Sequence, residues 1–134
     1  MSKSDVDKLS TILLTDSPDT VRDKVRKAVT DMTPTITYDE AGRPGVSNLV
    51  DIVCAFTDST ADDVCESCTH FDTVAFKNYV ADVVIERLKP IGSEITRLLT
   101  DVTHLSTVVT EGNDRARVIA NCTYSDVCRL VGFL

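Results

Sequence analysis

Residues 74–99 place Phe76, Tyr79, Val80, Val83, Val84, Leu88, Ile91, Ile95, Leu98 and Leu99 at the three- and four-residue spacings of one helical face. This is the longest periodic stretch in the chain, and an apolar stripe of that kind has to be buried against other elements. Pro90 falls inside it. A proline removes one backbone donor and crowds the preceding turn, so a kink or break is expected near Arg87–Pro90, where Gly92 loosens the same place. Aromatic residues make up only 5% of the chain and Trp is absent, which leaves the core to Val, Leu and Ile.

The other segments read as shorter helices. Asp16-Ser17-Pro18-Asp19 is a helix start. Ser17 can cap, Pro18 suits the first helical position, and Asp19 sits at the positive end of the dipole. Val21, Val25, Ala28, Val29 and Met32 then recur at helical spacing as the expected inward face of a helix over 18–32. Thr33 to Gly45 is a loop of about a dozen residues, a length often associated with function or mobility. A deeply buried helix is expected over 46–57, from Val46, Leu49, Val50, Val53 and Cys54, widened by Ile52 and Phe56. Asp58-Ser59-Thr60 caps a short helix over 61–68, and His70-Phe71-Asp72-Thr73 caps the long one. Asp101 starts another short helix, with Val102, Leu105, Val108 and Val109 inward. Gly112-Asn113 is expected to end it and to start a last helix with Ala116, Ile119, Ala120, Val127, Leu130 and Val131 inward. Before all of these, residues 5–14 hold Val6, Leu9, Ile12, Leu13 and Leu14, and the stretch Ser10-Thr11-Ile12-Leu13-Leu14-Thr15-Asp16 reads as a short extended run. The sum is an all-α helical bundle preceded by a loop and an extended segment.

A chain of 134 residues is enough for one ordinary domain, and its formal charge of −7 argues against a free-standing nucleic-acid binder. No stretch is long and apolar enough to span a membrane. The first ten residues are charged and polar, so neither a secretory signal nor a transit peptide is expected. Five cysteines without framework spacing read as reduced thiols.

Few residues invite chemistry. Met1-Ser2-Lys3-Ser4-Asp5 is a polar stretch without apolar periodicity. Its lysine can meet a polyanion while Ser2 and Ser4 donate to phosphate oxygens. Arg22, Lys24, Arg26 and Lys27 form the one concentrated basic run. They make either a solvated helix face or a phosphate contact, and the sequence leaves both open. Cys65-x-x-Cys68-x-His70, with Cys54 nearby, has the residue types of a zinc site. Free thiols are the expected reading, and no bound metal is expected in this chain. His104 and the acidic pairs Asp62–Asp63 and Asp5/Asp7 read as surface or capping residues. The chain has no Gly-rich phosphate loop and no nucleophile elbow.

Three stretches, Met1-Ser2-Lys3-Ser4, the run over residues 15–31 and the run over residues 42–52 (Gly-Arg-Pro-Gly-Val-Ser-Asn-Leu-Val-Asp-Ile), together resemble one family in their order and spacing. It is the tryptophanyl-tRNA synthetases, and most of all the mitochondrial type. The opening residues resemble the last four of the Lys-Met-Ser-Lys-Ser loop of class I synthetases. The resemblance implies ATP-binding by Met1, Ser2, Lys3 and Ser4, with Lys3 as the catalytic residue, matching the second lysine of the loop. Where the family usually has proline after the Ser-Asp pair, this chain has Val6. Some bacterial relatives carry an iron–sulfur cluster on four cysteines; here only Cys54, Cys65 and Cys68 fall in that region.

The implied activity is that of a tryptophan–tRNA ligase, which activates tryptophan with ATP, accompanied by Mg2+, and transfers it to tRNA(Trp) in protein synthesis. Residues 1–17 are expected to end the catalytic domain's loop and its following segment. Residues 18–134 are expected to form the C-terminal helical region that receives the tRNA anticodon, with no individual contact assigned. The chain is then expected to be about the C-terminal third of the enzyme, inactive by itself without its nucleotide fold. A homodimer and a location in the mitochondrial matrix, or alternatively the cytoplasm, are expected for the whole enzyme. Neither a membrane nor DNA is an expected partner. The alternative is a non-catalytic helical interaction module or truncated isoform.

Overall fold

The computed structural model describes residues 8–133. Five α-helices follow a single 3-10 turn at Lys8–Ser10, and no strand occurs among the described residues. They are α1 (Pro18–Lys27), α2 (Pro44–Thr57), α3 (Ala61–Ser67), α4 (Thr73–Thr100) and α5 (Val102–Val131). The chain divides into two units after Ser93, so that the last turns of α4 belong with α5.

In the first unit the helix starts follow the local sequence. The Ser17 side chain accepts from the Thr20 N–H at 3.2 Å, and Pro18 occupies the first turn of α1. Thr60 and Asp63 form a reciprocal capping box on α3. Asp72 accepts from the Ala75 N–H at the start of α4. The core joins Val21 and Val25 of α1 to Ile36 and to Val46, Leu49, Val50 and Val53 of α2. It is completed by Val64, Cys68, and Phe76, Val80, Ala81 and Val84 of α4. The expected inward face of α2 is thus its buried face.

Several expectations need correction. α1 stops at Lys27 instead of continuing to residue 32, because Ala28 leaves the helical region with ψ 135°. Val29 and Met32 are therefore not on its inner face; they are 87% and 100% exposed. Lys77 of α4 accounts for the stop. Its ammonium donates to the carbonyls of Arg26 (3.2 Å) and Ala28 (2.7 Å), which satisfies acceptors that the helix end leaves open. The expected extended run over 10–16 is not extended throughout, since Ser10 ends the 3-10 turn and the chain turns again at residues 14–15, where the Asp16 N–H donates back to the Leu13 carbonyl. Pro90 does not break α4, which runs through it.

In the second unit, Asp101 caps as expected, its side chain accepting from the His104 N–H at 3.0 Å. Gly112 does not divide the helix, and α5 runs unbroken past it. A mid-helix glycine costs only about 1 kcal/mol, too little to stop a helix without a left-handed turn. That turn comes at Gly132, with φ 80°. There the Gly132 N–H donates to the Arg129 carbonyl and the Phe133 N–H to that of Cys128, the paired closure of a Schellman motif. Val102, Val108, Val109, Ile119, Val127, Leu130 and Val131, expected inward, are exposed, and Cys128 is buried. Three local ion pairs, Arg97–Glu94, Arg117–Asp114 and Arg129–Asp126, lie along these helices. Exposed pairs of this spacing contribute only about 0.3–0.5 kcal/mol each.

Candidate functional site

Met1, Ser2, Lys3 and Ser4, the expected phosphate-binding residues, lie outside the described residues. What the structure describes is the ground they lead into. Residues 11–16 are fixed from three directions. Lys24, on α1, is 9% exposed, and its ammonium donates to the Thr11 carbonyl at 2.8 Å and to Asp16 Oδ2 at 2.5 Å. The same Asp16 oxygen accepts from the Leu13 N–H, while the Asp16 N–H donates back to the Leu13 carbonyl. From α4, Gly92 lies so close that a Cβ there would sit 2.6 Å from the Leu14 carbonyl oxygen. Gly92 is therefore a close-approach residue in the structure, beyond the loosening role expected from sequence.

Lys24 resolves one alternative left open by the sequence. It is neither a solvated residue nor a free phosphate ligand, because its buried ammonium donates to two protein oxygens, the Thr11 carbonyl and Asp16 Oδ2. Burial pushes the Asp16 carboxyl up, but the hydrogen bonds from Lys24 and from the Leu13 N–H outweigh it and hold the group below its ordinary value. The rest of the basic run is exposed. Arg22 pairs with Asp82 at 2.6 Å and Arg26 with Asp23 at 3.0 Å. Beside the clamp is a cleft of about 330 Å³. Ile12, Val25, Leu49 and Ile52 supply apolar lining, and Lys24, Lys27 and Asn48 supply polar groups.

The loop before α2 is tightly held. The Arg43 guanidinium grips Asp31 with two nearly parallel hydrogen bonds of 2.9 Å and donates further to the Thr33 and Thr35 carbonyls and the Thr37 hydroxyl. This grip holds the Asp31 carboxyl well below the usual carboxylate range. Gly45 rests against the Val29 carbonyl, where a Cβ would overlap the oxygen. Ser47, buried in α2, accepts from the Asp39 N–H. The run over residues 42–52 thus builds a buckle between the exit of α1 and the entry of α2. Tyr38 donates to Glu40, and the nearby carboxylates of Glu40 and Asp51 push its hydroxyl well above the ordinary value.

Cys65 and Cys68 lie at the end of α3, Cys68 buried and Cys65 half-buried; burial pushes the thiols of Cys54 and Cys65 up. Among the described residues, no three His, Cys, Asp or Glu side chains gather in a metal-holding group. His104 is exposed on α5. The anchoring roles of Lys77, Asp16 and Arg43 were not legible in the sequence, where Asp16 reads only as part of a helix start. The weak available signal was a charged residue on an apolar helical face, as Lys24 is between Val21 and Val25.

The described residues thus form a helical body whose N-terminal segment is clamped to its first helix. The fold is similar to a crystal structure of tryptophanyl-tRNA synthetase from Mycoplasma pneumoniae, with a TM-score of 0.58 and 24% identity over 66% of this chain and 28% of that one. The family of tRNA synthetases class I (W and Y) matches residues 1–89, well over half of the sequence, and the chain belongs to that family. It is 38% identical over 135 residues to the mitochondrial tryptophan–tRNA ligase of Saccharomyces cerevisiae, covering 99% of this chain and 36% of that protein. It is also 38% identical over 136 residues to the tryptophan–tRNA ligase of Agrobacterium fabrum, covering 100% of this chain and 38% of that one. Against the Rickettsia prowazekii tryptophan–tRNA ligase the identity is 33%, over 100% of this chain and 41% of the relative. The chain thus spans about two-fifths or less of the length of these relatives.

Proposed function

We propose that this chain serves a tryptophan–tRNA ligase, in which ATP, accompanied by Mg2+ as part of the substrate, activates tryptophan for transfer to tRNA(Trp). The observation that carries the reading is end-to-end similarity to proteins so named, at 31–38% identity over 99–100% of the chain. In this reading residues 1–17 go with the catalytic part and residues 18–134 with the tRNA-docking helices. Met1, Ser2, Lys3 and Ser4 form part of the ATP-binding loop. As pyrophosphate leaves, charge grows on the phosphates, and a lysine that meets it there lowers the barrier more than it tightens the ground state. Lys3 has that role, with Ser2 and Ser4 donating to phosphate oxygens. The whole enzyme acts as a homodimer, as the resemblance implies. A mitochondrial setting has the support of the yeast relative, and bacterial relatives of equal identity support a cytoplasmic one as the alternative.

The test is a hybrid in which residues 1–134 replace the matching stretch of the Agrobacterium relative. The expected result is tryptophan-dependent exchange of pyrophosphate into ATP and charging of tRNA(Trp). Lys3→Ala is expected to lower the exchange rate by about a hundredfold while leaving tryptophan affinity nearly unchanged. Equal losses in rate and affinity would count against the loop role, and a silent hybrid against the reading as a whole.

A further inference from the structure

From Val109 to Val131, α5 carries an apolar stripe that its own unit leaves uncovered. Val109, Ile119 and Leu130 are 60%, 71% and 86% exposed. At 3.6 residues per turn they share one face with Gly112, Ala116, Thr123 and Val127, and no charged residue falls among them. The one hydroxyl on that face, of Thr123, donates to the Ile119 carbonyl at 3.2 Å and is satisfied within the helix. Among the described residues of the second unit, no element packs along α5. The stripe runs for about 33 Å, and a contiguous apolar surface of that kind marks an interaction site.

The surface that complements this stripe is the same stripe reversed. With two copies of α5 laid antiparallel about a two-fold axis near Asn121, Gly112 lies opposite Leu130 of the second copy and Ile119 opposite its Thr123. Ala116 lies opposite its Val127 to within one residue. Each large side chain then meets a smaller one, as interdigitating layers require. A Cβ on Gly112 would meet nothing within 4 Å in the single chain, so the space beside it is open to a partner's side chain. Charge agrees with size. Arg115 and Asp126 lie on one edge of the stripe and face each other, to within one residue, in the same register; the two-fold makes the pair twice. Within the single chain they have only weak contacts on their own helix: Arg115 with the Glu111 carbonyl at 3.4 Å, and Asp126 with exposed Arg129 at 3.5 Å. A parallel pair would instead set Arg115 against Arg115 and leave a void at Gly112. We propose that α5 is a self-association surface, on which a second copy of this chain docks antiparallel through the stripe from Gly112 to Leu130. The pairing is read from α5 alone and does not rest on the ligase reading.

The test is sedimentation equilibrium of the 134-residue chain over about 1–200 μM, a range that brackets the dissociation of modest interfaces. The expected result is a reversible rise in mass from one chain to two. Arg115→Glu and Asp126→Arg are each expected to raise the Kd at least about fivefold, and the two together, which restore opposite charges, to return it to within about twofold of the parent. Gly112→Leu is expected to raise the Kd at least about tenfold while the helical circular-dichroism signal and the Tm at dilution hold or rise. Leucine is the better helix former and meets open space in the single chain. Should Gly112→Leu lose helicity, Ile119→Ser gives the same readout at a position exposed in the single chain. A chain that stays monomeric throughout overturns the proposal, and so does a dimer that neither Gly112→Leu nor Ile119→Ser weakens. If the double charge swap weakens the dimer further instead of rescuing it, the antiparallel register is overturned. A monomer that floats with phosphatidylglycerol vesicles has a lipid surface on the stripe. A monomer in which Ile119→Cys is shielded from maleimide only within the hybrid has the relative's remaining part there. Either outcome overturns the proposal as well.

Discussion

Replacing Lys24 by Met in the 134-residue chain removes the ammonium and leaves a carboxylate inside the fold. Breaking a buried pair from one side typically costs about 3–5 kcal/mol, since the remaining charge has lost both water and partner. Asp16 retains the Leu13 N–H and sits in a short connecting segment, so the lower end, about 3 kcal/mol, is the expected figure. Against a typical domain stability of about 5–15 kcal/mol this is a large fraction, readable by urea denaturation followed through the helical circular-dichroism signal.

The pH dependence carries the finer test. In the parent, the Asp16 pKa lies below its ordinary 3.8, so its contribution is present above that value and is lost as pH falls through the lower folded value. In Lys24→Met, burial acts with little opposition and raises the pKa, so the carboxyl takes a proton more readily in the folded state. The deficit of the variant against the parent should therefore shrink as pH falls from 7 toward 4. Asp16→Asn added to Lys24→Met should recover part of the loss at neutral pH. A deficit under about 0.5 kcal/mol, or one unchanged between pH 7 and 4, would refute the electrostatic account of the clamp.

Two further outcomes follow from packing. Gly45→Ala should destabilise by about 1–3 kcal/mol despite the better helix propensity of alanine, because the added methyl meets the Val29 backbone; a higher melting temperature would contradict the close approach. Phe76→Ala, at a fully buried position, should cost about 3–5 kcal/mol, whereas Met32→Ser should change stability by no more than about 0.5 kcal/mol, both measured by denaturant midpoints.

The sequence by itself determined the helical class, the starts of α1, α3 and α4 and the buried face of α2. These rest on local physics: a capping oxygen three residues from its donor, a proline at a first turn, an apolar residue every third or fourth position. The resemblance carried by Met1–Ser4 and the runs over 15–31 and 42–52 was likewise written in contiguous stretches. Only the tertiary structure decided where α1 ends, because the deciding group, Lys77, is 49 residues from the carbonyl of Ala28. It also decided that Lys24 is an anchor, since nothing in a basic run tells which member meets Thr11 and Asp16 across a fold. Gly45 and Gly92 were legible as glycines but not as contacts, because what forbids a side chain there is a carbonyl from a distant part of the chain. Spacing along a chain encodes which face a residue takes on its own helix, and the partner that waits on that face is fixed only when separate segments meet.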